Sequence, residues 1–422
     1  MLALLAGARV ARPAAEPPVD ALRHAVEAGS ALALASRADV SLADWIAAAK
    51  ALAPSTPQKP GLALETVPLT VLGKVESTEI AIYVPTRYAP GTPAPLLMAF
   101  HGTGGRGGDV VSMWQATAEA LGMLVVAPTE AGPNDGYHFS ARERASTFAA
   151  LRWARLRFDV DEGRVFATGI SRGGHLVWDA AARTPDVFAA LAPMIGAPRV
   201  TTVQGGNNLR YLENLAGVPI RDLQGSKDDP HLVANLRLAF ERLAAWKAVD
   251  ARLLEFPERG HDFDFDAVDW TKFFGAAVRD PAPARVLRRC SSPAEGRAAW
   301  AEVLAIDPTT VGEDVRPIQP GGWDRMEDDA KRRFIAIEAE KRTARLEVLR
   351  VVPGRFEAHS SGVKQFRLRL RSEDLGTTGS VVVTWNGQSI NRTVTPSQAV
   401  LLRDFVERFD RRFLPVVEIT IP

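Results

Sequence analysis

Residues 169–173 read G-I-S-R-G, and the stretch leading into them, 164–170, reads R-V-F-A-T-G-I. Glycine, serine and glycine in this spacing, directly after a β-type run, fit a tight turn from a strand straight into a helix, with the serine at its apex. The backbone at such an apex is strained and the helix passes close to the strand, which gives the small residues Gly169, Gly173 and Gly174 a steric reason. Residues 174–183 go on with helical spacing. A chain built round this turn needs a sheet whose strands feed helices, and it offers Ser171 as a candidate attacking hydroxyl.

The surrounding sequence supplies such a sheet. Strand-like runs at 66–72, 79–84, 96–100, 124–127, 165–170, 189–195, 220–224 and 253–256 alternate with helical spacing at 109–121, 146–157, 174–183 and 232–248. This alternation predicts an α/β fold, a doubly wound, mostly parallel sheet with helices on both faces. Residues 20–53 are rich in Ala and Leu with helical spacing, and P-S-T-P-Q-K-P at 54–60 ends that segment. A Pro-rich linker at 280–283 closes the alternating region. Beyond it, F-R-L-R-L-R at 366–371 alternates as a strand with one wet, basic face, and Asn386-Gly387 between 381–385 and 388–394 is a hairpin signal. Ser397 is placed to cap a short helix to about residue 409, 416–421 reads as a strand, and 334–340 is assigned to a strand. The expected organisation is a leader and helical segment over 1–60, a catalytic α/β domain over 61–280 and a smaller β-rich domain over 281–422.

Composition narrows the function classes. Lys and Arg number 51 against 50 acidic residues, a net charge of +1, which gives no electrostatic warrant for nucleic acid as a partner. The single cysteine, Cys290, excludes an intrachain disulfide and a thiolate zinc cluster, and no metal or other cofactor is expected. No apolar run approaches the roughly 18 residues that suggest a transmembrane helix. Residues 1–10 are apolar and 11–18 are rich in Ala and Pro, a pattern that fits either the stump of an export signal or a disordered leader.

A serine hydroxyl becomes a nucleophile when an imidazole takes its proton and a carboxylate orients that imidazole. In doubly wound hydrolases the partners follow in the order Ser, acid, His, on loops at the carboxyl ends of later strands. Here Asp228 lies in Q-G-S-K-D-D after the 220–224 strand, and His261 in E-R-G-H-D after the 253–256 strand. Asp228 is favoured over Asp229 because it stands three residues beyond Gly225, whereas Asp229 is placed to cap the helix beginning near Pro230. Asp262 and Asp264 are rivals by proximity, but carboxylates so near in sequence rarely reach the imidazole of His261. Among the other histidines, His175 falls in the helix after the turn and is expected to pack.

H-G-T-G-G at 101–105 follows the 96–100 strand, and its glycines leave amides bare for an oxyanion. Thr103 is the first choice for the loop donor and Gly104 the second, paired with the amide of Arg172. His101 is expected to brace the loop. In these motifs, with G-I-S-R-G-G-H at 169–175, G-S-K-D-D at 225–229 and G-H-D-F at 260–263, the chain resembles the α/β-hydrolase superfamily. The likeness is to its bacterial esterase, prolyl-oligopeptidase-like and polyhydroxybutyrate-depolymerase-like branch. It covers about residues 65–275 and is specific for fold and machinery but not for substrate. Many relatives carry Met or Gln where Arg172 stands, so the Arg172 side chain is expected to line the acyl or leaving-group side. Asn208 and Tyr211, in the 196–217 stretch that can form part of a lid, are the other candidate substrate contacts.

The leading expectation is a serine hydrolase cleaving a small-molecule or polymer-borne carboxylic ester. A serine peptidase with the same machinery is the near alternative. From another class, the chain can be read as a glycan- or protein-binding module on a retired hydrolase scaffold.

Overall fold

The structure is a computed structural model and describes residues 16–34, 37–54, 56–129, 134–200, 207–313, 317–377 and 379–422. The possible export signal at 1–10 lies outside the described residues, as does the 201–206 part of the expected lid.

Eight strands form the large sheet: β1 (Gly61–Val71), β2 (Lys74–Val84), β3 (Ala94–Phe100), β4 (Leu124–Pro128), β5 (Val160–Ile170), β6 (Ala190–Met194), β7 (Ile220–Gly225) and β8 (Ala251–Phe256). Their spatial order is β1-β2-β4-β3-β5-β6-β7-β8, and β2 alone runs against the others. All seven residues of β3 are buried, as a strand covered on both faces requires. One face carries helices α5 (Ala141–Arg157), α6 (Arg172–Arg183) and α7 (Pro230–Ala245), packed through residues such as Leu151, Leu176 and Leu236. The other carries α3 (Gly107–Val111), α4 (Gln115–Leu121) and α8 (Trp270–Ala276), through Val110, Ala118 and Phe274. The carboxyl ends of β3 to β8 therefore point their loops to one edge of the sheet, where a ligand crevice forms in such folds.

Two further sheets follow. One has the order β16-β15-β13-β12-β9, from β9 (Arg285–Cys290), β12 (Ala344–Val352), β13 (Arg355–Ser361), β15 (Ser380–Trp385) and β16 (Gln388–Thr393). The other is β10-β11-β14-β17, from β10 (Arg297–Ala298), β11 (Ala301–Ile306), β14 (Val363–Leu370) and β17 (Val417–Ile421). The Asn386-Gly387 turn joins β15 to β16 with φ of 46° and 85°, the left-handed pair that a type I′ turn requires. Ser397 precedes α10 (Gln398–Arg408), but its side chain makes no capping bond. Helices α1 (Pro18–Ala28) and α2 (Leu42–Ala51) pack on α10 through Leu22, Trp45, Leu401 and Phe405, so the first and last parts of the described chain share a core.

Two expectations are corrected by the structure. Residues 334–340 lie within a helix, α9 (Asp328–Lys341), because the flanking residues continue the helix on both sides and its buried set, Ala336, Ala339 and Glu340, has helical spacing. The basic face of β14 is not wet: Arg369 is buried against Glu302 and Asp404, Arg367 meets Glu418, and Arg371 meets Asp374. Cys290 sits in β9, and burial pushes its thiol up to about 11.

Candidate active site

Ser171 stands between β5 and α6 with φ 55° and ψ −111°, a left-handed conformation that a non-glycine residue adopts at a cost of about 1–3 kcal/mol. Glycines make the turn possible. A Cβ on Gly174 would stand 2.8 Å from the Met194 carbonyl oxygen, and one on Gly196 would stand 2.6 Å from that of Ser171. A Cβ on Gly169 would collide with the backbone of Gly173, and one on Gly173 with that of Phe100. The Ser171 amide donates to Met194 O at 2.8 Å, and Ser171 O accepts from the His175 amide at 3.0 Å, so strand and helix are locked on either side of the hydroxyl.

Loops from two later strands reach this serine. Nε2 of His261 lies 2.9 Å from Oγ of Ser171, and its Nδ1 lies 2.7 Å from Oδ2 of Asp228. A carboxylate only accepts, so Nδ1 carries the proton and Nε2 turns a bare lone pair to the serine hydroxyl. Asp228 is itself held: Oδ2 also accepts from Nε2 of Gln224 at 2.8 Å, and Oδ1 accepts from the Asp229 amide at 2.7 Å. Burial works to raise its pKa, but the bonds from Gln224, the Asp229 amide and His261 outweigh it and hold the carboxyl below its ordinary value. Asp229 turns away and accepts from the His231 amide at 2.8 Å, capping α7. Geometry thus separates the two neighbouring aspartates.

The 101–107 loop lies alongside. A Cβ on Gly102 would be 3.8 Å from Cβ of Ser171. The loop is tied down by Nδ1 of His101 on Gly102 O (2.8 Å), by Arg106 on Glu79 and by the Gly107 amide on Oγ1 of Thr129. Gly104, with φ of 74°, is corrected as an oxyanion donor: its amide already donates to both the main-chain and side-chain oxygens of Asn134, each at 3.1 Å. Thr103 remains the loop candidate, to be paired with the amide of Arg172, the first residue of α6.

The three expected substrate contacts are corrected as well. The Arg172 side chain is buried, with Nε on Gly136 O at 2.8 Å and Nη2 on Glu143 at 2.9 Å; it fastens α6 to the 136–143 segment instead of facing a substrate. Asn208 is fully buried, donating to Asp179 at 3.0 Å and accepting from the Arg199 amide at 2.7 Å. Tyr211 is also buried, with its hydroxyl 2.5 Å from Oγ of Ser291 and its ring beneath the guanidinium of Arg183. Asp179, at the centre of this network, also receives Tyr137, Arg144 and Arg183, and Arg183 reaches Glu295. The stretch expected to cover the serine is, over 207–215, part of the seam between α6 and the β-rich region.

Sequence reasoning passed over Gln224. The available signal was an amide side chain at the end of the strand, four positions before the acid. His175 is half-buried, with Nδ1 2.7 Å from the Ala197 carbonyl oxygen and 3.0 Å from the Ala197 amide nitrogen. Among the described residues no group of three or more His, Cys, Asp or Glu is arranged to hold a metal ion, and no helix is long and apolar enough to cross a membrane.

No family model and no curated protein matches the chain. Solved structures with a similar fold include a thermostable esterase, with 19% identity and a TM-score of 0.38 over 51% of this chain and 63% of that one. An acylaminoacyl peptidase of Pyrococcus horikoshii gives 14% and 0.43 over 52% and 42%. A puromycin-hydrolyzing peptidase of Mycobacterium tuberculosis gives 19% and 0.39 over 51% and 39%. The chain spans less than two thirds of each of those proteins, and at such distances no activity is transferred from them. The class follows from the topology itself: a mostly parallel sheet with one reversed strand, a serine at the β5–α6 turn, and loops after β7 and β8 that return to it. This is the α/β-hydrolase fold.

Proposed function

We propose that this chain is a serine hydrolase that cleaves carboxylic esters through an acyl-enzyme. The observation that carries the reading is the unbroken relay from Asp228 through His261 to Ser171, set at a strained elbow. Oγ of Ser171 attacks the ester carbonyl carbon as Nε2 of His261 takes its proton, and the carbonyl oxygen becomes an oxyanion. The amides of Thr103 and Arg172 stabilise that oxyanion; losing one such donor typically costs about 10²–10³ in turnover. Collapse breaks the ester C–O bond, and His261 returns the proton to the departing alcohol. Water, deprotonated by His261, then attacks the acyl-enzyme and releases the acid. Asp228 stays ionised throughout and holds the imidazole in the required tautomer.

The site is open to solvent and admits either an ester or a peptide, so turnover decides between them. The His261 side chain is 49% exposed, and the described residues ahead of the sheet pack on α10. The test compares p-nitrophenyl butyrate with alanyl and prolyl p-nitroanilides, on wild type and Ser171→Ala. The ester is expected to exceed the anilides in kcat/KM by about 10²-fold or more, and Ser171→Ala to lose several orders of magnitude. Anilide turnover equal to that of the ester would replace the esterase reading by the peptidase one.

A further inference from the structure

The arginines around the elbow end on protein acceptors: Arg172 on Glu143, Arg144 on Asp179, and Arg183 on Asp179 and Glu295. Arg199 does not. Its guanidinium lies 4.2 Å from the centroid of the Phe139 ring, the residue is exposed, and among the described residues no carboxylate comes within ion-pairing distance of it. Its main chain, by contrast, is fixed, since its amide donates to Oδ1 of Asn208 at 2.7 Å and its carbonyl accepts from the Leu209 amide at 3.3 Å. The charge is thus carried on a rigid mount, feels the field of Asp179, and has no ion-pairing partner among the described residues.

Its position bears on the serine. Phe139 follows β4 and Arg199 follows β6, and β3 and β5 lie between those strands, so the pair arches across the first turn of α6. Contacts run continuously from the nucleophile outward. Gly196 packs on the Ser171 carbonyl, Ala197 is bonded to His175, and the His175 ring lies 6.4 Å from that of Phe139, on which Arg199 rests. Burial lowers the pKa of His175, and the charge of Arg199 pushes the same way. Stacking uses the face of a guanidinium and leaves its in-plane N–H groups free for bidentate recognition of a carboxylate.

We propose that Arg199 is a specificity-determining residue that binds a carboxylate carried by the substrate, so that the preferred substrates are esters with an anionic acyl or alcohol part. The proposal rests on the serine-esterase reading. Two pairs of probes test it: p-nitrophenyl hydrogen glutarate against p-nitrophenyl pentanoate, and 3-carboxy-4-nitrophenyl butyrate against p-nitrophenyl butyrate. The readout is the ratio of kcat/KM, anionic over neutral, corrected in the second pair for the uncatalysed reactivity of each ester. In at least one pair, Arg199→Gln should lower that ratio about ten- to a hundredfold, the range of a charge-assisted hydrogen bond. Arg199→Lys should restore part of it, and Arg199→Glu should favour the neutral ester. Ratios unmoved by Arg199→Gln and Arg199→Glu in both pairs would overturn the proposal while neutral-ester turnover left the hydrolase reading intact. No turnover of any of the esters by folded wild type would overturn both.

Discussion

Replacing Gly225 by alanine should damage the relay without touching any of its members. Gly225 ends β7 where the acid loop lies flat against the histidine loop: the Ser226 amide donates to Phe256 O at 3.0 Å and the Lys227 amide to Arg259 O at 2.8 Å. A Cβ at 225 would stand 2.6 Å from Arg259 O and nearer still to Gly260 O. A comfortable contact of this kind is about 3.5 Å, so the two backbones must part by at least about 1 Å. They are the backbones that carry Asp228 and His261, whose bond is 2.7 Å, and a parting of that size takes it out of hydrogen-bonding range. A misplacement of about 1 Å costs about 10²-fold in rate, and the overpacking itself costs about 1–3 kcal/mol. The assay is kcat on p-nitrophenyl butyrate together with a urea titration, beside Gly217→Ala, whose added Cβ would have nothing within 4 Å. Gly217→Ala should stay within about twofold of wild type, as a surface change does. Gly225→Ala retaining kcat within about threefold would refute the reasoning that the two loops are locked at that point.

Two further perturbations follow from the same geometry and from the seam. Gln224→Leu keeps the volume but removes a donor to Asp228, so kcat should fall about tenfold or more with little change in KM. Because that donor favours the ionised carboxylate, its loss raises the Asp228 pKa; an unchanged kcat would remove Gln224 from the relay. At the seam, burial alone would raise the pKa of Asp186, but Arg408, Arg297 and Arg279 outweigh it and bring the carboxyl down to about 2. With its folded value depressed, Asp186 contributes stability that is fully present above its unfolded value of about 3.9 and lost as pH falls towards about 2. Arg408→Met strands this buried carboxylate, which should cost about 3–5 kcal/mol near neutral pH and be partly relieved on acidification. A urea midpoint equal to that of wild type near neutral pH would refute that role for the pair.

The features legible in sequence were those with a local physical cause. G-I-S-R-G implies the elbow because small residues permit the close approaches at Gly169, Gly173 and Gly174. Asn386-Gly387 implies its turn because both positions need positive φ. Asp228 and His261 could be chosen because the strands ahead of them have fixed ends in the sheet. What stayed illegible depended on distant partners. Arg172 looked like a substrate contact until Glu143, 29 residues away, took its side chain. Asn208 and Tyr211 looked like lid residues because nothing local shows that Asp179 and Ser291 will bury them. The arginines of β14 looked solvated because their carboxylates come from β11, β17 and α10. The 334–340 error has another origin, a short apolar run whose period does not by itself separate strand from helix.

The central claim is that Ser171 is an activated nucleophile, and intact-mass analysis after exposure to a fluorophosphonate tests it most directly. Folded wild type should take up one equivalent of label, and Ser171→Ala should take up none. Failure of the folded wild type to take up label, or equal labelling of Ser171→Ala, would contradict the account, and absence of label would favour a binding module on a hydrolase scaffold.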